Sequence, residues 1–241
     1  MFGHWPSAAS APVVEPELAL PDPVAPAFTV PTPRPLGGRS PPLMWAPVLH
    51  DVVARTAPRA GARAVDTVVR TTPEGTENIV LITSRAEHGG ELWVRVRLAT
   101  LPNNSMGWIP RDALGGSVAV MTRLLVDRAR LTATLFERGR VTFRAPVGVG
   151  KPEWPTPRGN FYVRNKVTTY RSPFFGPVAF GTSARSEVLT DWPAGGFVGI
   201  HGTDRPDLIP GPVSHGCIRL RNADILRLAR LMPIGTPITI R

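Results

Sequence analysis

Proline is the feature that most limits what this chain can become. The sequence has 28 prolines and 23 glycines in 241 residues. Each proline fixes φ and removes a backbone donor, so helices are cut short and central strands are confined to brief runs. Eleven of the prolines fall in residues 1–42, many alternating with Ala and Val, and no helical or strand period runs between them. Residues 1–42 are therefore read as an extended, disordered linker. No window approaches the roughly 20 apolar residues of a transmembrane helix. Nor does Met1 open a signal peptide, because the stretch from Phe2 to Pro6 has no basic residue and prolines interrupt the apolar runs that follow.

From about Met44 the texture changes to short β-rich runs separated by Gly, Pro and Asn, at 66–70, 78–83, 92–98 and 107–110. The third alternates, with Trp93, Val94, Val96 and Leu98 set among Arg95 and Arg97, as a half-buried strand does. Pro102-Asn103-Asn104 supplies a turn. Strands at this spacing over residues 43–116 predict a small β-barrel, with its two tryptophans, Trp93 and Trp108, expected in the core. The run Trp93-Val94-Arg95-Val96 with Gly107-Trp108-Ile109-Pro110 resembles bacterial SH3-like domains.

A second β-rich unit spans 117–241. Residues 124–136 and 140–144 are read as two strands joined by a hairpin turn at Glu137-Arg138-Gly139, with further strands at 160–167 and 198–201. The one clear helix is 223–232, with Asn222 as N-cap, an apolar face of Ile225, Leu226, Leu228, Ala229 and Met232, and Pro233 as its stop. Residues 237–240 form a closing strand. The fold class is thus mainly β, with a helix near the C-terminus.

Charge is distributed unevenly. Residues 1–42 carry two arginines against three acids, and residues 43–116 eight arginines against seven. Residues 117–241 carry sixteen arginines and two lysines against eight acids, which accounts for a net +10. Such a surface attracts anionic polymers. The arginines are scattered singly, with no helix-turn-helix, zinc-finger or RNP pattern, so nucleic acid is not expected as the partner. Anionic envelope polymers satisfy the same charge, as does a plain solvated surface of an arginine-rich protein.

The single cysteine, Cys217, excludes an intramolecular disulfide. It lies two residues after His215, so in an extended segment imidazole, sulfur and Arg219 share one face while Ile218 and Leu220 enter the core. Gly216 between them permits close backbone approach, and amides at 216 and 217 are candidate oxyanion donors. His201-Gly202 ends the apolar run Phe197-Val198-Gly199-Ile200. A lone cysteine or histidine is ordinarily a core or surface group, but two His-Gly pairs and the only thiol lie within seventeen residues. A metal site of His201, His215 and Cys217 is the alternative, although structural zinc usually draws on four ligands.

His201-Gly202-Thr203 followed by Ser214-His215-Gly216-Cys217-Ile218-Arg219-Leu220 resembles the signature of the L,D-transpeptidase catalytic domain, also called YkuD. Val147-Gly148, Thr156-Pro157-Arg158-Gly159-Asn160-Phe161 and Gly235-Thr236-Pro237-Ile238 extend the resemblance over about 118–241. It implies a YkuD-type β-sandwich in which Cys217 attacks a peptidoglycan tetrapeptide stem, expels D-alanine and passes the acyl group to a second stem as a 3-3 cross-link. It implies His215 as base, backbone amides from His215 to Cys217 as oxyanion donors, and His201, Ser214 and Arg219 as groups shaping the site. No metal or organic cofactor is implied. Peptidoglycan stem peptides are the implied partners, carbapenem β-lactams the covalent inhibitors, and the space outside the cytoplasmic membrane the location. Water as acceptor would make the same site an L,D-carboxypeptidase, and a non-catalytic wall-binding protein is the rival from another class.

Overall fold

The computed structural model describes residues 43–168, 172–189 and 196–241. The linker expected over residues 1–42 lies outside them. Seven strands, β1 (Met44–Pro47), β2 (Val52–Arg55), β3 (Ala64–Val68), β4 (Ile79–His88), β5 (Glu91–Arg97), β6 (Met106–Pro110) and β7 (Val118–Ala119), form one antiparallel sheet in the order β3-β2-β6-β5-β4-β1-β7. The alternation read in β5 holds. Val94, Val96 and Leu98 enter a core with Val80 and Ile109, Trp93 is buried and Arg95 exposed. Trp108 is only half-buried.

Two strand boundaries differ from the sequence expectation for identifiable reasons. β3 ends at Val68, and the Arg70 amide beyond it donates to Asp51 Oδ1 at 2.7 Å rather than to a ladder partner. β4 runs on to His88 because Gly89 and Gly90, both at positive φ, make a two-residue turn into β5. The sheet also takes in Val118–Ala119, which pair with β1 beyond the expected division at residue 116.

Ten more strands follow: β8 (Thr122–Asp127), β9 (Thr132–Glu137), β10 (Arg140–Pro146), β11 (Gly148–Gly150), β12 (Gly159–Val167), β13 (Ala179–Arg185), β14 (Phe197–His201), β15 (Gly211–Ser214), β16 (Ile218–Arg219) and β17 (Pro237–Ile240). Their order is β10-β9-β8-β17-β12-β13-β14-β16-β11-β15. The expected turn between β9 and β10 is present, with Arg138 and Gly139 at positive φ. The single strand expected over 124–136 is instead a hairpin, β8 and β9. Asp127 breaks it by accepting the Arg130 amide at 2.9 Å, a side-chain turn that competes with the ladder.

Strand β12 pairs with β17 through its first half and with β13 through its second. The strands on either side of it contribute to one core, which joins Leu124, Leu135 and Phe143 to Phe180, Ile200 and Ile218. This is a β-sandwich covered by one helix, α1 (Asn222–Leu231). Ile225, Leu228 and Ala229 face the core, and Met232 follows them into it. Leu226 stays largely exposed, because it lies about 100° around the helix from Ile225. Asn222 does not cap the helix; the cap position is Arg221, without a side-chain bond. At the other end Lys166 Nζ donates to the Ala229 carbonyl at 2.7 Å, satisfying one of the last turn's acceptors. Among the described residues no helix is long and apolar enough to cross a membrane.

The two sheets meet through polar and apolar contacts on β12. Tyr162 packs with Ile79, Leu81 and Val120 and donates its hydroxyl to the Ile79 carbonyl at 3.1 Å. Arg164, 2% exposed, donates to Glu74 at 3.0 Å and to the Thr182 carbonyl at 2.8 Å. Asn165 Nδ2 donates to Glu74 Oε2 at 3.1 Å. Burial disfavours the Arg164 charge and the Glu74 carboxylate beside it offsets this. Removing one partner of a pair buried this deeply leaves an uncompensated charge. Glu74→Ala is therefore expected to destabilise the protein by about 3 kcal/mol in urea denaturation, and Glu74→Leu combined with Arg164→Met to recover most of that loss.

Candidate active site around Cys217

Cys217 lies in the bend between β15 and β16. The extended path expected for residues 214–220 is interrupted there, because Gly216 adopts φ +117°, a conformation that side-chain-bearing residues rarely enter. Two hydroxyls hold the bend. Ser214 Oγ donates to the Cys217 carbonyl at 2.6 Å and accepts the Gly216 amide at 3.1 Å. Thr156 Oγ1 donates to the Gly216 carbonyl at 2.7 Å and accepts the Gly150 amide at 2.8 Å. Both side chains are buried. The Gly216 amide, one of the oxyanion donors expected from the sequence, is thus hydrogen-bonded to Ser214 Oγ.

After the bend the expected alternation resumes. Ile218 and Leu220 are fully buried, and β16 pairs with β14 in parallel, setting Ile200 against Ile218 and His201 against Arg219. This pairing brings the two His-Gly pairs together. His201, His215, Cys217 and Arg219 line one cleft, with Phe174 and Val198 among its walls.

The half-buried thiol accepts the Gly199 amide at 3.3 Å. Gly199 also sits beside His201: a Cβ built at Gly199 would stand 3.8 Å from His201 Cδ2 and 3.9 Å from Cys217 Sγ. Burial pushes the Cys217 thiol up; the Gly199 N–H and the Arg219 charge pull it back. The resting group is a thiol.

His201 is 2% exposed. Its Nδ1 lies 2.6 Å from the Gly202 carbonyl, and since a carbonyl only accepts, Nδ1 carries the proton. The lone pair is then on Nε2, which is buried without a hydrogen-bond partner. Burial lowers its pKa to about 4, with the Gly202 contact opposing and the Arg219 charge adding to the drop. Phe175 meets the ring edge-on at 5.0 Å. Gly202 is pinned from the far side, because a Cβ there would collide with Asn222 Oδ1. That amide oxygen accepts the Thr203 N–H at 2.9 Å, so Asn222 holds the loop after His201 instead of capping α1.

His215 is exposed and its ring lies 4.3 Å from that of Trp154. The Arg219 guanidinium sits 4.4 Å over the Phe174 ring, a cation–π contact, with Nε buried and unpartnered. Among the described residues no group of three or more His, Cys, Asp or Glu is placed to hold a metal ion. The structure therefore gathers all six residues singled out in the sequence, with Ser214 and Gly216 shaping the bend rather than facing the cleft walls. Sequence reasoning missed Gly199, whose backbone N–H has no side-chain signal. It also missed the role of Thr156, which was visible only as part of a matching segment.

Residues 121–240 match the family model described as the L,D-transpeptidase catalytic domain, YkuD. Over 118 residues the chain is 36% identical to a YkuD protein of Bacillus licheniformis, covering 49% of this chain and 64% of that one. Over 109 residues it is 38% identical to the YkuD protein of Bacillus subtilis, covering 45% and 59%. The chain thus spans less than two thirds of either relative. Among solved structures, the catalytic domain of an Enterococcus faecium L,D-transpeptidase aligns at 27% identity and TM-score 0.39, over 50% of this chain and 96% of that domain. An L,D-transpeptidase from Mycobacterium smegmatis aligns at 19% identity and TM-score 0.41, over 67% and 99%.

The ionisation of the cleft has two measurable consequences. As pH falls, the unfolded chain protonates position 201 near 6.5 whereas the folded imidazole resists until about 4. The stability that neutral His201 contributes is present above pH 6.5 and declines between those values, by as much as about 3 kcal/mol. Urea melts of wild type and His201→Gln between pH 7 and 4 should diverge by that slope; parallel curves would contradict the assignment. Alkylation of Cys217 by iodoacetamide is expected to rise with pH through a midpoint above that of an ordinary thiol.

Proposed function

We propose, on the match of residues 121–240 to the L,D-transpeptidase catalytic domain of the YkuD type, that the protein transfers acyl groups through Cys217 between peptidoglycan stem peptides. One observation carries this reading. A single cleft contains the chain's only thiol, a backbone N–H on its sulfur, and an imidazole nitrogen with no other partner.

His201 fits the proton acceptor better than His215, the residue to which the sequence pattern gave that role. Its Gly202 contact fixes the tautomer, and its Nε2 lone pair is left for the thiol. Nε2 takes the proton as Sγ attacks the carbonyl carbon of the L-to-D peptide bond in a tetrapeptide stem. The Gly199 amide and the Arg219 charge favour sulfur as it becomes anionic. With the Gly216 amide engaged, the Cys217 amide is the backbone donor beside the new oxyanion. Collapse breaks the C–N bond, His201 returns the proton to the departing D-alanine nitrogen, and a thioester remains. The amine of a second stem then attacks the thioester, its proton passes to His201, and the sulfur leaves and is reprotonated as thiol, closing a 3-3 cross-link.

Desolvation explains why the pair rests neutral. Separating charge in a dry cleft is costly until a substrate carbonyl is present to receive it. His215, exposed against Trp154, then belongs to the rim where a stem peptide enters. A carbapenem would be opened by the same sulfur. Residues 43–116 serve as an SH3-like accessory domain, and the basic excess of 117–241 suits anionic envelope polymers outside the cytoplasmic membrane.

Intact-protein mass spectrometry with a disaccharide-tetrapeptide, and separately with a carbapenem, tests the proposal. Wild type is expected to gain a covalent adduct, release D-alanine and form a dimer product, whereas Cys217→Ala does none of these. Tripeptide without dimer would mean that water is the acceptor, and no adduct on folded, reduced protein would favour a binding module. His201→Gln should slow acylation by about 100-fold, the usual scale for a lost general base, and His215→Gln by much less.

A further inference from the structure

Between the two sheets lies a second cavity, of about 110 Å³, walled by Val80 and Leu98 on one side and by Tyr162 and Phe197 on the other. Two polar side chains of the first sheet line it without being satisfied. Asn78 is 9% exposed. Its Nδ2 donates to the Val69 carbonyl at 2.7 Å, which sets the amide's orientation and leaves Oδ1 buried with no partner. Arg97 is half-buried, and its Nε also has no partner.

No carboxylate among the described residues pairs with Arg97; the ion pairs there are Arg164–Glu74, Arg205–Asp207 and Arg241–Asp127. Asp66 lines the same cavity, but one of its oxygens accepts the Thr67 amide at 2.8 Å and neither forms an ion pair with Arg97. Tyr162 spends its hydroxyl on the Ile79 carbonyl. Arg164, the other cation on the wall, already has Glu74, and its guanidinium lies 3.8 Å from the centre of the Phe197 ring. The cavity therefore offers an uncompensated guanidinium, an orphaned acceptor and short aliphatic walls. A native fold seldom leaves such groups unpaired unless something else pairs them.

We propose that this cavity is a binding site for a small α-amino carboxylate. Its carboxylate meets Arg97, its nitrogen donates to Asn78 Oδ1, and a methyl-sized side chain rests on Val80 and Leu98. A free amino acid and the C-terminal residue of a peptide share this chemistry. The cavity shares no lining residue with the Cys217 cleft, and binding there does not depend on acyl transfer.

Calorimetric titration of the full chain, carried in the Cys217→Ala form so that nothing is turned over, separates the outcomes. The ligands are glycine, D-alanine, L-alanine and N-acetyl-D-alanyl-D-alanine. Saturable binding is expected, weakened at least tenfold by Arg97→Gln and unchanged by Arg95→Gln, which alters the exposed neighbour on the same strand. Binding of the free amino acids alone identifies a free ligand, and binding of the acetylated dipeptide a chain end; either supports the site. Val69→Trp, at an exposed lining position, should block binding without touching the core and keeps the test valid if Arg97→Gln fails to fold. No saturable heat with any ligand, or binding that survives both Arg97→Gln and Val69→Trp, overturns the proposal.

Discussion

Strand β12 is the constraint on which the rest of the molecule depends. Its first half is hydrogen-bonded to β17 and its second to β13, so the strands on its two sides are joined through this one segment. The same strand sends Tyr162, Arg164 and Asn165 into the neighbouring sheet. An ion pair as deep as Arg164–Glu74 is a poor source of net stability, because desolvation consumes most of the attraction. Its value is in geometry: two charges that must find each other allow few relative placements of the loop at residues 72–76 and the strand.

The cleft at Cys217 is governed by the same physics with opposite results. The Arg164 and Glu74 charges on the inter-sheet contact are paired, whereas the thiol and the His201 imidazole are kept neutral by burial. Neutrality at rest is compatible with catalysis when the surroundings favour charge that develops during reaction. The Gly199 amide, the Arg219 cation and the hydroxyl-pinned bend are arranged in advance, so the proposed attack by sulfur would need little reorganisation. Aromatic neighbours, Phe174 and Phe175, keep the polar groups in a low-dielectric setting without competing for their hydrogen bonds.

Much of this could be read from the sequence because it is encoded locally. Alternation in β5 depends only on the two-residue period of a strand, and the hairpin at Arg138-Gly139 only on a turn that requires positive φ. The failures were also instructive. Residues 124–136, thirteen residues without proline or glycine, read as one strand, yet Asp127 closes a turn with its own side chain. Asn222 looked like an N-cap, yet its amide was claimed by Thr203, nineteen residues away along the chain.

By itself the sequence determined the candidate reactive groups: one thiol, two imidazoles, an arginine and the glycine that bends the chain between them, along with short strands and a single clear helix. It determined these because side-chain chemistry and near-neighbour periodicity need no partner from elsewhere. Only the tertiary structure decided which histidine has a free nitrogen, which amide remains beside the sulfur, and that the cleft rests uncharged. Those properties depend on burial, on hydrogen bonds donated by Gly199 and Thr156 and on the Gly202 carbonyl that accepts from His201, and the Thr156 contact crosses sixty residues of sequence. Proton positions follow solvation, and solvation exists only once the chain has folded around the site.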